Sequence, residues 1–291
     1  MKVVTDNGID ISPQQLEGLD VEIVALTITM GDDHYKGGVD IQSEEFYRIL
    51  RSSDIFPVTS QPSPADFRER FLKIAETDKD IVSIHMSSKI SGTYNSARLA
   101  AEELNAGGQA NVTVIDSKQA SGALGWIVEA AARAAKADWS HEQIVELINK
   151  IGPSCNLMFS PDTVKYLVHG GRVSHIRGMA ASVLNIKPIL EVQFGSGTIE
   201  SVSTVRTMKK ALAKQVDLIE DRYNANTKMR VQIEQADNEE MAAYLKEQMG
   251  NRFDCTFLPT TSVTPLIGAH TGPGVVAMVY GPVDAFADIP G

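Results

Sequence analysis

The chain has 291 residues, 43% of them hydrophobic and 22% charged, the balance of a soluble globular protein with a sizeable core. Acidic residues outnumber basic ones, 37 against 27, and a net charge of −10 argues against a nucleic-acid coat or a binder of anionic membranes, which need clustered Lys and Arg. Cys155 and Cys255 lie far apart with no CxxC pair, so neither a thiolate zinc site nor a disulfide framework is expected.

The N-terminus, MKVVTDNGID, lacks the apolar core of a signal peptide, and no stretch reaches the roughly 18 apolar residues of a membrane span. The expectation is a cytoplasmic protein without stable membrane insertion. Lys2–Thr5 reads as a strand, and Val21–Thr29 as a second one closed by the polar turn Gly31–His34. Ser-Glu-Glu at Ser43 predicts a cap and an acidic first turn for a helix over Ser43–Leu50. A second amphipathic helix, Ala65–Ala75, follows Pro62 and Pro64. Then come a strand at Ile81–His85, a helix at Tyr94–Leu104 and a strand at Val112–Ile115. Trp126–Ala137 and His141–Ile151 read as two further helices. Strands separated by helices of this length predict βαβ units and a parallel sheet.

The texture changes after Gly152-Pro153, which sets a domain boundary there: residues 1–153 as an α/β domain and 154–291 as an α+β domain. Lys187–Gln193 and Thr198–Thr204 flank Phe194-Gly195-Ser196-Gly197, a hairpin signal. A helix over Thr207–Tyr223 places Met208, Leu212, Val216, Ile219 and Tyr223 on one face. Met229–Glu234 and Asp254–Pro259 read as strands around a helix at Glu239–Met249, and Val275–Tyr280 as the last strand. The fold class that emerges is α/β in two domains, a parallel sheet followed by a mixed or antiparallel one, with a cleft between.

Four segments rich in glycine and hydroxyls stand out: Pro57–Ser63, Ser87–Tyr94, His169–Ser174 and His270–Gly274. The second follows a strand and opens a helix, where a parallel sheet binds ligands and a helix offers free N–H groups to an anion. Spacing alone favours the plain reading, in which Ser91 caps its own helix. Thr59 and Ser60 can likewise be a capped helix start, His-Gly-Gly-Arg a tight turn, and His270 a solvated loop residue. There is no GxxxxGK[ST] loop for ATP, no GxSxG elbow, no GxGxxG after the first strand and no HExxH. Asp6, Asp10 and Asp116 stand near strand ends and could hold magnesium, though such aspartates more often fix turns.

Taken in order, the motifs resemble the DegV family of fatty acid-binding proteins. They are Thr5-Asp6, TSQPS at Thr59–Ser63, SGTYNSA at Ser91–Ala97 and VIDS at Val114–Ser117. GGRVS at Gly170–Ser174, LNIKPIL at Leu184–Leu190 and HTGPG at His270–Gly274 complete the set. The resemblance implies one long-chain fatty acid in a buried tunnel between two domains. Its carboxylate would be held by hydroxyls at Thr59 and Ser91, with Arg172 and His270 near the head group. Ser60, Ser88 and Gly92 would be neighbours. It further implies a carrier without turnover, cofactor or metal, which presents the acid to a separate ATP-dependent fatty acid kinase feeding phospholipid synthesis. The competing reading is a hydrolase or acyltransferase with Ser91 as nucleophile and His270 as base. That needs the two side chains within about 3 Å.

Overall fold

The structure, a computed structural model, describes residues 1–173 and 186–291. Ser174 and Leu184-Asn185, quoted in two of the motifs above, lie outside the described residues. The first half runs β1 (Lys2–Asp6), α1 (Pro13–Leu16), β2 (Val21–Val24), β3 (Thr27–Met30), β4 (Asp33–Lys36), α2 (Ser43–Ser52) and β5 (Val58–Ser60). It continues with α3 (Pro64–Ala75), β6 (Asp80–His85), α4 (Thr93–Ala106), β7 (Asn111–Asp116), α5 (Ser121–Lys136) and α6 (His141–Ile151). After a 3-10 turn at Gly152–Ser154 come β8 (Asn156–Ser160), α7 (Lys165–Gly170), β9 (Lys187–Gln193), β10 (Thr198–Val205) and α8 (Met208–Glu220). The chain ends through β11 (Lys228–Gln235), α9 (Glu239–Gly250), β12 (Asp254–Phe257), β13 (Thr261–Ser262), α10 (Pro265–Thr271) and β14 (Val276–Pro282).

The first sheet is parallel, in the order β2-β1-β6-β7. The second is mixed, in the order β10-β9-β8-β14-β11-β12, with β13 also paired to β11. A small antiparallel sheet, β4-β3-β5, stands beside them. Alternation along the strands explains the layering, because successive side chains point to opposite faces. Val4, Ile81 and Val112 pack against Phe67 and Phe71 of α3 and Ala97 and Leu104 of α4. Val3, Val82 and Ile84 face the other way, into the cluster that holds α5. In the second sheet Met158, Val231, Ile233 and Met278 cover α8 and α9, while Leu157, Phe159, Ala277 and Val279 look toward the first sheet. Helix α5 is buried nearly all round between the two sheets, as its Ala-rich sequence requires, and its buried Glu129 is paired with Arg133 and Arg230.

Three expectations need correction. Val21–Thr29 is two strands in two sheets, β2 in the parallel sheet and β3 in the small one. The chain changes sheets at Ala25-Leu26, where the Leu26 N–H donates to Asn7 Oδ1 at 2.9 Å. Helix α2 is capped by Gln42 rather than Ser43, whose hydroxyl donates instead to the Val263 carbonyl. Helix α5 starts five residues before Trp126, because its first turn must pass close to β11: a Cβ on Gly122 would collide with the Glu234 carboxyl.

Candidate functional site

Between the sheets lies a largely apolar cavity, whose empty space with its open mouth included is about 740 Å³. Its floor is the inner face of the second sheet. Phe159, Ala277 and Glu234 are cross-strand neighbours there, and the next inward positions, Val192 and Leu157, continue it. Its opposite wall includes Leu26, Met86, Ile90 and Ala120 from the first half. Val263, Leu266, Ile267, His270 and Thr271 also border it, so the cavity runs along one flank of α10.

At the end where α10 finishes, the lining turns polar: Thr59, Ser91, Arg172 and His270 meet there. They come from four separate segments. Thr59 sits in β5, opposite Ile28 of β3, rather than in a loop. Ser91 precedes the N-cap of α4, which is Gly92, so it does not hold the capping position the spacing suggested. Its hydroxyl accepts from the Thr93 N–H at 3.3 Å and lies 2.8 Å from Thr93 Oγ1. Arg172 follows Gly171, the left-handed C-cap of α7 at φ 72°, so His169 and Gly170 close a helix instead of forming a free turn. His270 stands in the last turn of α10, not in a solvated loop.

The electrostatics of this end favour an anion. Arg172 Nε donates to the Ile90 carbonyl at 3.3 Å and Nη1 to the Gly170 carbonyl at 2.6 Å. No carboxylate among the described residues pairs with it. Half-burial disfavours its charge and lowers its pKa from the ordinary arginine value. His270 Nε2 lies 2.9 Å from Thr59 Oγ1, and its buried Nδ1 has no partner among the described residues. Burial, with the charges of Arg172 and His169 nearby, holds the imidazole down to about 3, so the ring is neutral at physiological pH. A neutral ring, two hydroxyls and one uncompensated guanidinium at the end of an apolar cavity suit a carboxylate with a long alkyl tail.

The other named residues sit differently. Ser60 is exposed, Ser88 donates its hydroxyl to Asp116 Oδ2 at 2.6 Å, and Gly92 packs on Gln61; none of the three borders the cavity. Ser91 and His270 form no hydrogen bond with each other, since each is engaged elsewhere, so the nucleophile–base pair of the hydrolase reading is not assembled. Asp6 accepts from the Gly8 and Met86 N–H groups, and Asp116 from Ser88 and the Lys118 N–H. No cluster of metal-ligand type occurs among the described residues.

Two polar clusters escaped the sequence reading. Ser83 Oγ lies 2.7 Å from His85 Nε2, and His85 Nδ1 lies 3.0 Å from Asp6 Oδ2, an arrangement with the connectivity of a hydrolase triad. All three side chains are fully buried behind Phe67, with no space for a substrate, and the i, i+2 spacing on β6 carries the pair. The second cluster is Asp10, Ser121 and Glu234, of which Ser121 and Glu234 border the cavity. Strand β11 alternates apolar and polar residues, and the buried face that carries Arg230, Gln232 and Glu234 is the signal that could have hinted at it.

Comparison with known proteins shows the family and the fold. The family model for the DegV family, described as uncharacterised protein, matches residues 1–283. A DegV domain-containing protein of Deinococcus radiodurans is 32% identical over 286 residues, spanning 97% of this chain and 99% of its own. A DegV lipid-binding protein of Thermotoga maritima superposes with a TM-score of 0.85 at 27% identity, covering 97% of this chain and 98% of that one. A DegV family protein of Eubacterium eligens, loaded with heptadecanoic acid, gives 0.82 at 26% identity, covering 97% and 99%.

Proposed function

The chain belongs to the DegV family, and we propose that it holds one long-chain fatty acid between its two sheets and presents the carboxylate to a separate ATP-dependent fatty acid kinase. The observation that carries the reading is Arg172, half-buried and without a carboxylate partner among the described residues, at the polar end of an apolar cavity. The relative from Eubacterium eligens, which holds heptadecanoic acid, supports the ligand class. Each methylene buried stabilises by about 0.8 kcal/mol, so a dozen contribute on the order of 10 kcal/mol gross. A hydrogen bond to a charged group nets only about 1.5–3 kcal/mol. The tail therefore supplies most of the affinity, and the four head residues fix which end points outward.

The carrier role follows from chemistry as well as from the resemblance. A carboxylate among hydroxyls is inert until a phosphoryl donor activates it, and the sequence has no Walker loop to bind one. An ATP-dependent kinase that reaches the Thr59–His270 end would supply the phosphoryl group. Arg172 then suits the resulting acyl phosphate, since guanidinium matches phosphate oxygens.

Organic extraction of the purified, denatured protein followed by mass spectrometry is expected to recover roughly one fatty acid per chain. Recovery of none, with no binding of added fatty acid, overturns the assignment. Thr59→Ala and Ser91→Ala should each weaken binding by about 1–3 kcal/mol with the fold intact, each losing one bond to the head group. Wild-type binding in both would place the head group elsewhere. Acyl phosphate should form from the loaded protein and ATP only when a cognate kinase is added; formation by the chain alone would make it an enzyme.

A further inference from the structure

We propose that Asp10, Ser121 and Glu234 form a one-proton latch in the cavity wall: the cavity holds an acyl chain while the two carboxyls share a proton and releases it when that proton leaves. The inference rests on the fatty acid-binding reading and adds a control to the same site.

The geometry sets the proton count. Ser121 Oγ lies 2.5 Å from Asp10 Oδ2 and 2.5 Å from Glu234 Oε2. One hydroxyl carries one hydrogen and can donate to only one of them. The other short contact requires a proton on a carboxyl, which then donates to the serine oxygen. No Lys, Arg or His among the described residues bonds either acid, so none of these offsets a second negative charge. Asp10 is 1% exposed and Glu234 fully buried. Burial, the first cause, raises both carboxyls above their ordinary range, and for Glu234 the neighbouring Asp10 adds to it.

The surroundings are neutral donors from every side. Gln232 Nε2 donates to Glu234 Oε1 at 3.2 Å and to the Asp10 carbonyl, and the Thr264 N–H at the start of α10 donates to Asp10 Oδ1 at 2.7 Å. Thr261 of β13 reaches the same Gln232, and Gln15 of α1 bonds its Oε1. Tyr47 of α2 is the nearby titratable group; burial, with the Asp10 charge, holds its phenol well above the ordinary value. Arg230, a cation on the same strand as Glu234, is engaged at 2.8 Å by Glu129, which connects to the latch through Gln15 and Gln232.

The position decides the effect. Thr264 and His270 stand at opposite ends of α10, about 9 Å apart at 1.5 Å per residue. A chain whose carboxylate sits at His270 passes the latch roughly seven or eight bonds along, counting about 3.4 Å per three bonds of extended chain. With its proton, the latch presents a small, internally bonded wall to the alkyl chain. Without it, two carboxylates face each other across one serine, and their charge draws water into the space the chain occupies. The latch also ties β11 to the start of α5 and to the segment after β1, so its opening loosens the cavity from both sides.

The test is the affinity of the delipidated full chain for palmitate from about pH 6.5 to about pH 9.5, with thermal melts at each pH. Across that window the head carboxylate is ionised, His270 neutral and Arg172 charged, so these head-end groups do not change their charge. Wild-type affinity should fall by at least tenfold across it, at no more than tenfold per unit for one linked proton. Glu234→Gln and Asp10→Asn should each bring the ratio between the two ends within about twofold, whatever their absolute affinities. A flat wild-type profile, or variants that follow the wild type, overturns the latch and leaves the carrier reading standing. No palmitate binding at any pH overturns both.

Discussion

Replacing Ala277 with phenylalanine is expected to abolish the binding of long-chain fatty acids while the protein still folds. Ala277 stands in β14, in the middle of the second sheet, between Phe159 of β8 and Glu234 of β11. Its side chain is 4% exposed and borders the cavity, so a benzyl group there enters the path of the acyl chain. Overpacking a filled core costs about 1–3 kcal/mol, but here the ring has open space to occupy and the cost should be smaller. Binding should lose most of its tail contribution, more than about a thousandfold in affinity, since each excluded methylene forfeits about 0.8 kcal/mol. The adjacent Val276 is the control, because it points to the opposite face and packs under α8 and α9. Val276→Phe should lower the melting temperature instead, with no selective loss of long over short chains. Palmitate and octanoate affinities of the two variants, set beside their melts, check the claim; an Ala277→Phe protein that binds palmitate like wild type would remove the acyl chain from this cavity.

That pair of neighbours also shows what was legible in the sequence. Val275–Tyr280 reads as a strand from its apolar run alone, but the run is apolar on both faces, so periodicity could not say which residues face a ligand and which face helices. β1, β6, β7 and the β9–β10 hairpin were visible for the same reason, as short apolar runs bounded by turns. β8, the strand that joins the hairpin to the rest of the second sheet, was not read: Asn156–Ser160 is five residues long and offers no alternation. α10 was not read either, since Pro265–Thr271 is too short for a helical period and carries Gly268, which tertiary packing demands where the helix meets Tyr47. The head-group residues illustrate the limit most clearly. Thr59, Ser91, Arg172 and His270 each had a plain local explanation, and only their shared order with a known family suggested one site. Proximity of four residues spread over more than two hundred positions is a property of the fold, and the Asp10–Ser121–Glu234 contacts are as well.

Arg172→Ala should weaken fatty acid binding by about 2–3 kcal/mol, roughly 30- to 150-fold, at little cost in stability to the empty protein. The two halves of this expectation share one cause. In the empty protein the guanidinium is half-buried, bonded among the described residues to the Ile90 and Gly170 carbonyls, and burial already disfavours its charge. Removing it leaves two carbonyls to water and relieves an unpaired charge. In the loaded protein the same group compensates the carboxylate, and its removal strands that anion beside a neutral His270 and two hydroxyls. Arg172→Lys should recover part of the loss, because it restores the charge but not the planar fork that reaches two acceptors at once. The sharper readout is the preference for palmitate over its methyl ester, which has the same tail and no charge. Wild type should favour the acid strongly, and Arg172→Ala should lose most of that preference while keeping the ester affinity. If acid and ester bind wild type equally, the guanidinium does not meet a carboxylate and the orientation of the chain in the cavity is reversed.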